Sequence, residues 1–222
     1  MTGQVKRRYD ATRRREAAEQ TRLRILEVAG ELFGARGYAA TAVGDIASRA
    51  GVSVDTLYAT VGRKPQLLLA VHDMALAGGR PGVAAVDRDY VRRVREAPGA
   101  AAKIAAYADA MGELLPRTVP LLLALRDAGR QEPDCQAVLD QVRERRAGNM
   151  RLFAADLRAT GELREDLDDE TVADLVWSMN DPDYFALVTS RGRSARDYAE
   201  LVRDVWTRTL LATPPHAADG PV

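Results

Sequence analysis

Cysteine occurs once in this 222-residue chain, at Cys135, and histidine only twice, at His72 and His216. A single cysteine excludes an intramolecular disulfide, and three such residues scattered along the chain cannot assemble a clustered zinc site. No stretch approaches the roughly 18 consecutive apolar residues of a membrane span. The opening residues, MTGQVKRRYDATRRR, lack the apolar segment of a secretory signal, so a cytoplasmic protein with no membrane partner is expected. Glycine loops of Walker or Rossmann spacing are also missing, and the G-A-R-G run from Gly34 reads as a helix end. No nucleophile, base and orienting group converge. The acidic run Asp166, Asp168, Asp169 and Glu170 is explained by a helix start, where negative charge is favoured. No catalytic residue, metal or cofactor is therefore assigned, and an enzyme is not expected.

Net charge is zero as well, but it is unevenly spread. Residues 1–64 carry 12 Lys and Arg against 7 Asp and Glu, whereas the remainder carries 20 against 25. A positive N-terminal third suits phosphates and an acidic remainder is repelled by them. The same charges would also serve as solvated helix faces. With 46% hydrophobic and 29% charged residues the composition is that of an ordinary globular protein. Alanine and arginine dominate and β-branched runs are short, which favours helices throughout.

The most telling segment runs from Thr41 to Leu68. Thr41 can cap a helix over about 42–49, whose Val43, Ile46 and Ala47 form an inward stripe. Ala50-Gly51 ends it, Val52 packs in the turn, and Ser53 caps a helix over about 53–60 anchored by Leu57. Two helices around a short glycine-containing turn are the helix-turn-helix plan, whose second helix enters the DNA major groove.

These residues, Ile46-Ala47, Ala50-Gly51-Val52-Ser53, Thr56-Leu57-Tyr58, Gly62, Lys64 and Leu67-Leu68, resemble the DNA-binding domain of the TetR (tetracycline-repressor-like) family of transcriptional regulators. Ile25-Leu26-Ala29-Leu32-Phe33 with Gly37-Tyr38 and Thr41 is similar to that family's first helix and exit loop, so the resemblance covers about residues 20–75. One departure is Val61, where the family usually carries an aromatic that packs the recognition helix on the fourth helix. Looser packing is expected there.

The organisation read from the sequence is all-α: a three-helix DNA-binding domain followed by a larger helical bundle. Residues 1–19 read as a flexible basic arm, with Lys6-Arg7-Arg8 and Arg13-Arg14-Arg15 as its cationic clusters. Residues 20–64 form the helix-turn-helix domain, with a first helix over about 20–36. Residues 65–211 form the bundle, and the Pro- and Gly-rich 212–222 a disordered tail. A fourth helix starts near Pro65 and ends at Gly78-Gly79. Beyond it the pattern predicts a helix through Ile104 and Met111 stopped by Pro116, another through Leu121 and Leu125, and a long one over about 134–159. The last two, over about 168–190 and 194–211, are interrupted at Asn180-Asp181-Pro182 and opened by a Ser194-x-x-Asp197 capping box, respectively.

On the second helix of the motif, Ser53, Val54, Asp55, Thr56, Tyr58 and Ala59 are the candidate DNA contacts, with Val54, Asp55 and Ala59 toward bases. Val54 or Ala59 suits a thymine methyl, and Asp55 can accept from a cytosine amino group. An acid in a first helical turn is also favourable without a ligand. The resemblance implies phosphate binding by Tyr58, Lys64 and Thr41, and it implies a homodimer on double-stranded operator DNA, with dimerisation through the last two long helices. It also implies an effector pocket; Tyr107, Met111, Arg126, Trp177, Asn180 and Tyr184 are candidate lining for an apolar or weakly acidic small molecule, although aromatic and Met residues on a helical stripe are more often core and Arg126 would also suit the exposed end of a surface helix. A repressor released by such a molecule is the expected function. Alternatives are a helical enzyme or partner-binding adaptor on the same scaffold, or an effector-independent DNA-binding protein.

Overall fold

The computed structural model of the chain describes residues 2–212, with side chains from Thr12 onward. Most of the expected tail and the side chains of Lys6-Arg7-Arg8 lie outside the described residues. Among those residues there are ten α-helices and no strand, only one isolated antiparallel bridge between Leu163 and Leu211.

The chain divides into two compact units, one gathering Met1–Val83 with Pro120–Leu139 and the other Ala84–Val119 with Asp140–Val222. This differs from a boundary at 64/65. The first unit contains α1 (Thr2–Ala40), α2 (Val43–Ala50), α3 (Val54–Val61) and α4 (Lys64–Leu76). It also takes the end of α6 (Gly99–Gly129) and the start of α7 (Pro133–Arg158). The reason is burial. Leu67, Leu68 and Val71 of α4 and Leu121, Leu125 and Val138 join Ile25, Leu26, Ile46 and Leu57 in one apolar cluster. Each fully buried aliphatic side chain contributes about 1.5–3 kcal/mol.

α1 starts at Thr2, so the described part of the expected arm is helical. Regular geometry breaks at Gly37 (φ 77°, ψ 167°), a conformation that costs glycine nothing. Thr41 does not cap α2. Ala42 is the N-cap and has no side-chain bond, while the buried Thr41 hydroxyl donates to the carbonyls of Gly37 (2.7 Å) and Leu32 (3.2 Å). A local bond back to carbonyls of α1 wins over the cap. Gly51 adopts the left-handed conformation (φ 68°) that ends α2, and Ser53 Oγ accepts from the Thr56 amide at 3.1 Å to open α3.

The second unit contains a 3-10 turn at Ala85–Asp87, α5 (Asp89–Glu96), the greater parts of α6 and α7, α8 (Asp169–Met179), α9 (Pro182–Thr189) and α10 (Ala195–Leu210). α6 runs through Pro116, where the sequence predicted a stop, and through Pro120 as well. An interior proline costs about 3 kcal/mol. Burial of Met111, Val119, Leu121, Leu122 and Leu125 along the same helix offsets it. The Asp168 cap on α8 and the reciprocal Ser194–Asp197 box on α10 both form. Within this unit Tyr107 stacks on Phe153 (4.7 Å between centroids), and Trp206 lies tilted against both.

Candidate nucleic-acid interface and effector cavity

The outer face of α3 is built by contrast. Leu57 is fully buried, while Val54, Asp55, Thr56, Tyr58 and Ala59 are exposed on either side of it. The helix is locked from behind by α1: Arg22 donates to the Thr60 carbonyl and Arg24 to the Ala50 carbonyl, both at 2.8 Å. These bonds satisfy carbonyls at the ends of α3 and α2, where the helices themselves leave acceptors unpaired. Two cations of the positive N-terminal third therefore serve the fold. Two more, Arg36 and Arg49, pair with Asp45 (3.0 Å) and Glu31 (2.6 Å).

Lys64 sits differently. Its ammonium lies 4.2 Å from the centroid of the Tyr38 ring, a cation–π contact that steadies a long side chain without neutralising it. Tyr38 is itself fixed, stacked on Phe33 and with its hydroxyl 3.1 Å from Cys135 Sγ. Burial pushes the Tyr38 phenol well above its usual pKa and raises that of the Cys135 thiol, so both keep their protons and Cys135 is no ready nucleophile. Beside Lys64, Arg63 reaches Asp134 at 3.4 Å, and both side chains are largely exposed. Arg63 and Asp134 were not singled out from the sequence. A charge at a helix junction gives no sign of which distant acid it meets. Thr41, a sequence candidate for phosphate contact, is fully buried in the loop behind α2.

In the second unit a cavity of about 440 Å³ opens among the Ala85–Asp87 turn, α5, α6 and α7. Tyr90, Val91, Val94, Tyr107, Met150 and Phe153 supply its apolar wall. Arg95, Asn149 and Asp156 add polar groups. Of the six sequence candidates only Tyr107 lines it. Asn180 stands behind Tyr107, donating to its hydroxyl at 3.1 Å, and is itself held through its carbonyl by Arg146. Met111 is core, and Tyr184 packs on Tyr198. Trp177 is part-buried on α8, and Arg126 belongs to the other unit, where it reaches Asp127 at 3.2 Å. The lining from α5 was missed because α5 has a charged, strongly one-sided sequence, D-Y-V-R-R-V-R-E, that reads as surface.

Residues 25–71 match the family model of the bacterial regulatory proteins, tetR family. That segment is similar to the DNA-binding domain of the TetR family. Solved structures of the same architecture align over most of the chain. A Saccharomonospora viridis protein solved in complex with choline aligns with a TM-score of 0.65 at 19% identity, over 87% of this chain and 99% of that one. A TetR transcriptional regulator from Chloroflexus aurantiacus gives 0.63 at 20% identity over 89% and 100%. The SmeT–triclosan complex gives 0.62 at 18% identity over 91% and 99%. No curated protein matches in sequence. Within that matched segment α3 takes the place of the second helix of the helix-turn-helix plan. Val61, at the TetR position usually aromatic, is buried in the apolar cluster of the reading unit.

Proposed function

We propose that the chain is a homodimeric repressor whose recognition helices read a two-fold operator and which a small molecule releases by entering the cavity on α5, α6 and α7. The observation carrying the DNA-reading half is the exposed face of α3 above fully buried Leu57. Val54, Asp55 and Ala59 are the base-side residues, with Ser53, Thr56, Tyr58 and Lys64 toward phosphates. A single such module reads few base pairs, so affinity calls for two modules on a symmetric site. Leu175 on α8 and Leu187 on α9 are 38% and 63% exposed, apolar area suited to a partner protomer. The ligand half rests on the cavity, whose volume is in the usual small-molecule range of about 300–1,000 Å³. Choline and triclosan in the two structural relatives support it. An effector with a coupling of about 1–3 kcal/mol would weaken operator affinity roughly 5- to 150-fold.

Selecting bound duplexes from a random pool with the purified protein, then measuring affinity against salt, tests the reading. Lys64→Ala should weaken binding evenly across operator variants and lower the salt slope by about one unit. Failure of the dimer to enrich any sequence would sink the repressor assignment. An unchanged slope in Lys64→Ala would remove that lysine from the phosphate contacts.

A further inference from the structure

The polar groups of the cavity are not equally available. Asp156 is charge-balanced by Lys103, although its buried Oδ2 accepts no hydrogen bond. Lys103, only 6% exposed, lies 2.9 Å from its carboxylate and donates to the carbonyls of Val94 (3.2 Å) and Arg95 (2.7 Å). That pair is neutral as a unit. Arg95, on the same lining, is solvent-exposed and has no carboxylate partner among the described residues, so it adds a positive charge to the lining that a ligand can engage.

Tyr107 adds a second, weakly held donor. Its oxygen accepts from Asn180 Nδ2, which turns the hydroxyl proton toward Met150 Sδ, 3.8 Å away. A thioether is a weak acceptor, and at this distance it holds the proton poorly. Burial pushes the Tyr107 pKa up, so the group stays a donor across the physiological range. Arg95 and Tyr107 therefore both offer donors to a better acceptor. The mouth asks for hydrocarbon: Val86 and Leu152, both on the lining, are 57% and 68% exposed.

From this arrangement we infer that the effector is an organic anion, a carboxylate on an apolar body, with Arg95 and Tyr107 as the residues that set its specificity. The inference rests on the effector-cavity reading above and deepens it. A cationic ligand of equal length would be repelled by Arg95 and would find the charge of Asp156 already balanced by Lys103. A neutral one would fill the apolar wall and leave Arg95 without a partner.

The test is calorimetric titration of the full-length protein with three probes of one chain length: octanoate, 1-octanol and octyltrimethylammonium. Octanoate should bind at least about tenfold more tightly than either other probe, the scale of a hydrogen bond to a charged group. Arg95→Gln should abolish the preference of octanoate over octanol while leaving octanol affinity unchanged, which separates lost recognition from lost folding. Tyr107→Phe, nearly isosteric, should weaken octanoate several-fold and octanol less. Equal binding of octanoate and octanol, preference for the ammonium, or binding of none overturns the inference. So does a retained preference in Arg95→Gln. Adding the probes to the operator complex distinguishes the two levels. Selective octanoate binding without operator release defeats the induction model alone, whereas release by octanol and octanoate alike defeats the anion inference alone.

Discussion

Two helical glycines make a matched experiment. Gly112 lies within α6 and Gly148 within α7, and in both the backbone already has helical geometry, so alanine fits the dihedrals. Replacing an interior helical glycine by alanine stabilises by roughly 0.5–1 kcal/mol through lower chain entropy in the unfolded state. At Gly148 a new Cβ meets nothing within 4 Å, and that gain should appear in full. At Gly112 the same Cβ would stand 3.1 Å from Ala199 Cβ and 3.3 Å from the Ala195 carbonyl oxygen, both on α10. Ala199 is itself buried, so relief requires α6 and α10 to part, and overpacking of this kind costs about 1–3 kcal/mol. Gly148→Ala should therefore be more stable than the parent and Gly112→Ala less stable, or at best equal. For a protein of this size each kcal/mol corresponds to about 2–4 °C in Tm. Thermal and urea unfolding must be run at one protein concentration, because oligomerisation contributes to apparent stability. α6 also carries Tyr107 and α10 carries Trp206, 5.9 Å apart between centroids, so a parting of the helices should loosen the cavity wall. If Gly112→Ala stabilises as much as Gly148→Ala, the claim that α6 and α10 meet in unyielding contact at this point is wrong.

Thr41→Val, which keeps shape but removes the buried hydroxyl donor, should cost about 1 kcal/mol in urea unfolding and change DNA affinity only through stability; a loss of affinity with intact stability would return Thr41 to the interface. Asp134→Asn frees Arg63 from its exposed partner and should raise operator affinity by a few-fold at most, the scale of a surface ion pair; fluorescence anisotropy showing no gain or a loss would mean that Arg63 does not serve DNA. The backbone amide of Ser194 holds the Asp197 carboxyl below its ordinary pKa, so its contribution is present above the ordinary carboxylate range and is lost as pH falls through the depressed value. Asp197→Asn should accordingly show a shallower loss of stability on the acid side, and an acid limb parallel to that of the parent in urea midpoints would remove Asp197 from the linkage.

Features written in short stretches of chain were the readable ones. The cap at Ser53, the left-handed Gly51, the capping box at Ser194 and Asp197 and the apolar spacing around Leu57 each depend on residues within a turn or two, and each formed as read. Pro116 misled because a local rule about proline yields to burial spread along thirty-one residues of α6. Thr41 misled because its two acceptors, at Leu32 and Gly37, lie on the preceding helix and compete with the cap. The cavity was least legible. Its wall brings α5 residues such as Tyr90 to α6 and α7 residues such as Tyr107 and Phe153, and no periodicity along one helix reports which other helix it meets.

The reading unit is discontinuous, and this bears on how the protein can be born. Its apolar cluster draws Tyr38, Ile46, Leu57 and Leu67 from the first 83 residues, but Leu121, Leu125, Cys135, Val138 and Leu139 from a later stretch. On the ribosome the helix-turn-helix emerges early yet lacks part of its own interior until residue 139 has cleared the exit. Domains generally fold as units during synthesis, N-terminal ones first, at about 5–20 residues per second. Here the interval between residues 83 and 139 imposes a delay of several seconds at those rates, during which α1 and α4 expose the apolar sides that will later be covered. A nascent chain stalled before Leu121 should therefore be bound by hydrophobic-sensing chaperones and fail to read DNA, despite carrying every residue of the recognition helix.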